Sequence, residues 1–284
     1  MSDRQGRIGC LKWFLTEESF DSIVQTHADF IISCGSSVAG VNFLLSRECR
    51  AKNISILRPG LLSFRRFDLV VLPQHDKFSY KLKNRILTTL GAPNLMDHRY
   101  LQEQSDLLEK RFPWLREKKN IRLGILLGGN TKDSVIHPAQ VETILGQIAG
   151  AAQELNADIL LTTSRRTPGF VEELLHTKLG GCANLKLSII ANKNNVPEAM
   201  GGILGLSDVV VVSGDSISMI SEAASSGKPV IVFLPQGKSK PTGKSDKHAS
   251  FIRNLQAQGY IFHQSGGARR IRCLRDGRRL SSRG

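Results

Sequence analysis

Several short stretches of this chain hold residues whose types and spacing could do chemistry. The most informative is Ser213-Gly214-Asp215-Ser216, which ends the run Val209-Val210-Val211-Val212 and precedes Ser218 and Glu222. Ser218 and Glu222 stand four apart, so on a helix they share a face, with Asp215 seven before Glu222. Such a turn can offer backbone and hydroxyl donors to phosphate oxygens, while the Glu222 carboxylate can accept from both hydroxyls of a ribose. A helix with a solvated polar face and an aspartate at its N-cap would show the same residues with no ligand at all. Asp215 would repel a diphosphate, so it either caps the helix or meets a sugar hydroxyl.

Two further turns have the same character, Gly128-Gly129-Asn130 and Thr163-Ser164-Arg165-Arg166. Glycine lets a backbone approach a pyrophosphate, and hydroxyls and a guanidinium fork can donate to its oxygens. Singly each is weak, because Gly-Gly pairs mark ordinary turns and adjacent arginines are common on surfaces. Their weight comes from convergence: each follows an apolar run, and the carboxyl ends of parallel strands share one edge. His75-Asp76 closes another apolar run and is a candidate general base toward a sugar hydroxyl. Neighbouring strand residues point to opposite faces, so a structural or capping role is the alternative for that pair. Gly35-Ser36-Ser37 is a candidate acceptor-side loop. No Asp-x-Asp and no clustered His/Glu spacing points to a metal, so a fixed cationic loop is expected to offset the diphosphate charge. A nucleotide sugar as substrate, with no cofactor, follows from that chemistry.

The elements that must position these residues alternate between two periods. Short β-branched runs predict buried strands at 29–33, 53–57, 67–72, 121–127, 158–162, 185–190, 209–212 and 229–233. Between them, apolar residues three and four apart predict helices after Ser37 and over 138–155, 171–178, 197–206 and about 217–226. Pro138 fits a helix start, and Gly227 a helix end. A last helix over 247–258 and a strand at 260–263 close the pattern, and 1–27 has amphipathic helical spacing. Strands alternating with helices make an α/β protein of two Rossmann-like domains, with parallel sheets facing a cleft. The first domain is expected over 1–117 and to be incomplete, lacking an opening strand and glycine turn. Residues 93–120 are polar and charged, which places the boundary near 117; the second, nucleotide-sugar-binding domain then spans 118–264, and 265–284 is a basic tail.

Composition narrows the function classes. At 284 residues and 40% hydrophobic, the chain can bury a substantial core. No apolar run approaches the roughly 18 residues of a membrane span. Five scattered cysteines, with no C-x-x-C, point to reduced thiols, a cytoplasmic setting and no zinc site. The formal net charge of +14 invites nucleic acid, but residues 269–284 hold seven arginines against Asp276 alone. Charge massed at one end is the mark of a solvated tail, and basic surface interleaved with aromatics is missing, so no nucleic-acid partner is expected.

Leu126-Leu127-Gly128-Gly129, Thr162-Thr163-Ser164-Arg165-Arg166-Thr167-Pro168 and the block from Asp215 to Val230 resemble the hallmark blocks of the mitochondrial fission, elongated-mitochondria-type family. Arg58-Pro59, Phe67-Asp68-Leu69 and Pro73-Gln74-His75-Asp76 match its first domain, and the likeness covers about residues 28–262. Bacterial members are often labelled nucleoside-diphosphate-sugar epimerases. More distantly the family is similar to two-domain glycosyltransferases of the GT-B kind, with the nucleotide sugar in the C-terminal half. That resemblance implies Glu222 as the ribose-binding acid, Ser216 at the phosphate-binding helix start, and metal-independent transfer or epimerisation of a sugar. The plant branch implies another reading, a non-catalytic interaction protein at a membrane surface, and with it a peripheral location and an acceptor there.

Overall fold

Parallel pairing organises both halves of the chain. The computed structural model describes residues 9–13, 15–76, 84–131, 135–233 and 245–263, and these divide into two compact units, one ending at Leu90 and the other beginning at Gly91. The first holds a four-stranded parallel sheet in the order β1 (Phe30–Cys34), β2 (Lys52–Ile56), β3 (Leu69–Pro73) and β4 (Ile86–Thr89). Helices α1 (Glu17–Gln25) and α2 (Ala39–Cys49) join through a cluster of Leu11, Phe20 and Leu45, against which Ile31 also packs. Asn42 of α2 is sunk into the sheet, its side-chain amide donating to the carbonyls of Ile31 and Ile54.

Among the described residues, the opposite face of that sheet is only partly covered. Phe30 and Ile32 are 63% and 60% exposed, Leu87 54%. Register places Ile54, Ile56, Leu69 and Val71 on the same side, all only half-buried. A parallel sheet ordinarily has both faces covered.

The second unit has a six-stranded parallel sheet built from β5 (Arg122–Leu127), β6 (Asp158–Thr163), β7 (Leu185–Ile189), β8 (Val209–Ser213), β9 (Val230–Phe233) and β10 (Phe262–His263). Its order is β7-β6-β5-β8-β9-β10. The chain thus runs outward one way from β5, then returns to β8 and runs the other way, so the switch in direction falls between β5 and β8. One face is packed by α4 (Pro138–Leu155) and α5 (Gly169–Leu179) around Leu123, Ile125, Ile159, Leu161 and Val211. Helices α6 (Ala199–Leu206) and α7 (Ile217–Ser225) pack against the sheet as well, and α8 (Ser245–Ala257) precedes β10.

Two elements go beyond the sequence expectation, β4 and α3 (His98–Arg111). The polar stretch expected to separate the domains folds as α3, capped by the Asp97 side chain accepting from the Tyr100 N–H. It packs along α6 where glycines allow close contact: a methyl group on Gly202 would stand 2.7 Å from the Leu108 Cβ. Arg111 pairs with the buried Glu198 at the start of α6. These contacts put α3 in the second unit, so the chain divides at residues 90 and 91, earlier than the boundary near 117. The basic tail expected at 265–284 lies outside the described residues. Among those described, no helix is long and apolar enough to cross a membrane.

Candidate functional site

The loops after β5, β6 and β8 emerge side by side, because those strands are neighbours in one parallel sheet. All three therefore lie at the carboxyl edge, two of them flanking the switch point. What they do there differs from the open cradle expected of glycine turns. The Gly128 N–H donates to the Ser213 hydroxyl at 2.6 Å, and the Gly129 N–H to the Asp215 carboxylate at 2.9 Å. The Asn130 N–H donates to the Arg166 carbonyl at 3.2 Å, and the Gly214 N–H to the Phe233 carbonyl at 2.7 Å. A Cβ on Gly128 would collide with the Asp215 carboxyl, and one on Gly129 with the Arg166 backbone. The glycines are needed so that these loops can close on one another.

Asp215 is the keystone of that contact. It is 4% exposed, and it is Ser216, rather than Asp215, whose hydroxyl caps α7 by accepting from the Met219 N–H. One Asp215 oxygen is bound by Gly129; the other has no hydrogen-bond partner among the described residues. Burial pushes this carboxyl above its usual range, against the opposing pull of hydrogen bonds from Ser213 and Gly129 and of the nearby Arg166 charge.

Thr167 does comparable work between the first two loops. Its buried hydroxyl donates to the Gly128 carbonyl at 2.6 Å and accepts from the Ser164 N–H at 3.0 Å. Sequence reasoning passed over it, although a threonine closing Thr-Ser-Arg-Arg-Thr-Pro has the spacing of a hydroxyl-bonded turn. Ser164 in turn accepts from the Arg166 N–H at 3.1 Å. Thr163 is buried and accepts from the Ala191 N–H, which ties the loop after β7 to the same edge.

With so many groups bonded inward, the outward-facing set is small. Asn130, Arg165, Arg166 and Ser218 are exposed and Ser164 is half-buried. In the first turn of α7, the N–H groups of Ile217 and Ser218 have no acceptor among the described residues, as expected of a helix start. Four residues past Ser218, and on the same face, Glu222 is half-buried. Its carboxyl is raised above the ordinary range by burial alone, with no compensating partner among the described residues. The chain at 91–94 braces α7 beside that face: Ser221 accepts from the Ala92 N–H at 2.9 Å, and Asn94 donates to Ser225 at 3.1 Å.

His75 and Asp76 lie in the first unit, half-buried in the turn after β3, where the Asp76 N–H donates to the Pro73 carbonyl at 2.9 Å. Gly35, at the end of β1, takes a left-handed backbone (φ 87°) that favours glycine, and its N–H donates to Ile56.

Comparison with known proteins places this architecture. A structure of UDP-GlcNAc 2-epimerase from Neisseria meningitidis, bound to UDP-GlcNAc, superposes with a TM-score of 0.52 at 14% identity, covering 96% of this chain and 72% of that one. The fold is therefore GT-B-like, an α/β architecture with two parallel sheets. An uncharacterized protein of Rickettsia prowazekii is 26% identical over 278 residues, 86% of this chain and 75% of its own length. Mitochondrial fission protein ELM1 of Arabidopsis thaliana is 24% identical over 234 residues, so the alignment takes in 71% of this chain and half of that protein. The family description Mitochondrial fission ELM1 matches residues 9–281, and the chain belongs to that family.

Proposed function

We propose that the second unit binds a nucleoside diphosphate sugar at the carboxyl edge of its sheet, and that the chain transfers or epimerises the sugar. The observation that supports this reading is the outer face of α7. Two N–H groups at a helix start and the Ser218 hydroxyl form an anion site, and Glu222 stands one helical turn, about 5.4 Å, farther on. A carboxylate kept half-buried with no partner among the described residues costs stability, and sites that hold ligands carry such groups. Ribose hydroxyls donating to Glu222 would supply what the folded protein does not. The diphosphate would meet the α7 start, with Arg165 and Arg166 providing guanidinium charge from the neighbouring loop. In this reading Gly128, Gly129, Asn130, Thr163, Ser213, Gly214 and Asp215 shape the edge, and Ser164, Arg165, Arg166, Ser216, Ser218 and Glu222 face or frame the ligand. His75, with Asp76, is the proposed general base toward a sugar hydroxyl.

A thermal-shift panel of uridine, guanosine and cytidine diphosphates tests the reading. Uridine diphosphate comes first, since a protein of the same fold holds UDP-GlcNAc. One nucleotide should stabilise the parent chain, and Glu222→Ala and Arg166→Ala should each weaken that binding about tenfold or more. His75→Asn should leave nucleotide binding intact and abolish turnover. No response to any nucleotide, or equal affinity in Glu222→Ala, rejects the donor site. That result would favour an interaction protein, the reading to which the exposed apolar face around Phe30 and Ile32 also lends weight.

A further inference from the structure

A second concave surface lies in the first unit, on the edge opposite His75. Where the strands β2, β3 and β4 begin, Arg47, Arg50, Arg65, Arg66 and Arg85, with Asp68, line a cavity of about 450 Å³. Arginines near a helix C-terminus are common because they complement its dipole, and that accounts for Arg47 and Arg50 at the end of α2. It does not account for Arg65 and Arg66, which come from the turn before β3, or for Arg85, which precedes β4.

Three of the five guanidinium groups are held in place by a ring or a carbonyl, and of these Arg85 also lies near enough to Asp68 to help hold its carboxyl low. Arg47 and Arg66 lie over the Phe43 ring, 5.5 and 5.0 Å from its centroid. Arg85 donates to the Phe67 carbonyl at 2.9 Å. None of the five makes an ion pair with a carboxylate among the described residues. Asp68, the acidic residue of the lining, is already engaged by the Asn53 N–H at 3.0 Å and by Lys52 at 3.3 Å. The carbonyl end of α2 offsets part of the positive field, roughly half a charge. Five like charges gathered from three elements around one hollow repel one another, and an anion in the hollow relieves that repulsion. A hollow of this volume is in the range of small-molecule sites and is larger than one phosphate requires.

We infer that this cavity binds a compact, multiply phosphorylated group, presented either by a soluble polyphosphate or by the headgroup of a phosphorylated lipid. Arginine forks suit phosphate oxygens in either setting. The site shares no residue with the proposed nucleotide edge, so each can fail alone.

The test uses the full chain at about 0.15 M salt, where loose surface attraction is screened. Inositol hexakisphosphate is the soluble probe. Phosphatidylcholine vesicles containing phosphatidylinositol bisphosphate are the membrane probe, with phosphatidylserine vesicles of equal charge as control. The parent should bind at least one phosphorylated probe, and Arg47→Gln/Arg65→Gln should bind it at least about tenfold more weakly. Binding of the soluble probe alone identifies a free ligand; binding of bisphosphate vesicles above the phosphatidylserine control identifies a headgroup. Arg65→Gln, whose side chain braces nothing among the described residues, provides the comparison should the double variant misfold by circular dichroism. Arg269→Gln/Arg270→Gln/Arg272→Gln should leave the affinity within about threefold. The inference is overturned if neither probe binds, if the cavity variants bind as the parent does, or if the 269–272 variant loses affinity equally.

Discussion

The two sheets of this protein are built from the same kind of strand and differ in what covers them. In the second unit, β5, β6, β8 and β9 are buried along their whole length. In the first unit, β1 alternates exposed and half-buried residues, and one face of its sheet shows Phe30, Ile32 and Leu87 to solvent. Apolar strand residues stabilise a fold only in proportion to the surface they remove from water. The second unit should therefore hold most of the stability that its own packing can provide, while the first sheet keeps an apolar face only partly covered.

Paired truncations test that contrast most strongly. Ile125→Ala, fully buried in the second core, should cost about 2–5 kcal/mol in chemical denaturation. Ile32→Ala, on the partly covered face of the first sheet, should cost less than about 0.5 kcal/mol. Equal costs would mean that something covers Ile32 in solution, and the contrast between the sheets would be lost.

The locked loops should rank next. Gly129→Ala presses a methyl group against the Arg166 backbone, which cannot rotate away, and should cost about 3 kcal/mol. Thr167→Val keeps the shape but strips the hydroxyl from the buried Gly128 carbonyl, for about 1–3 kcal/mol. If both variants melt with the parent, the edge of the second sheet is looser than its hydrogen bonds imply.

The smallest effect should have the opposite sign. The Glu222 carboxyl is raised on folding, so the native state holds its proton more tightly than the unfolded chain does. Ionising it at neutral pH therefore works against the fold, and this penalty is relieved as the pH falls toward the usual carboxylate range. Glu222→Gln should melt slightly above the parent at pH 7, with the gap closing as the solution is acidified. A variant that melts lower at pH 7 would make Glu222 a structural residue and remove its claim to a ligand.

Legibility in the sequence follows the range of the interactions. Val209 to Val212, or Pro138 through Leu155, announce their conformation through neighbours a few residues away, and the structure places β8 and α4 there. The stretch 98–111 did not, because only Leu101, Ser105 and Leu108 of that charged helix are buried, and the partner that buries them is α6, some ninety residues on. Its N-cap Asp97 and the spacing of those three residues were the available signal.

From the sequence alone came the alternation of strands and helices, the parallel sheets, and the gathering of three polar loops at one edge, since each depends on local pattern and the handedness of short connections. Tertiary structure decided which atoms those loops leave open. The Gly128 and Gly129 N–H groups are consumed by Ser213 and Asp215, more than eighty residues away, while the α7 start and Glu222 remain outward. A hydrogen bond between distant residues depends on where two loops are carried by their strands, and no spacing along the chain records that distance.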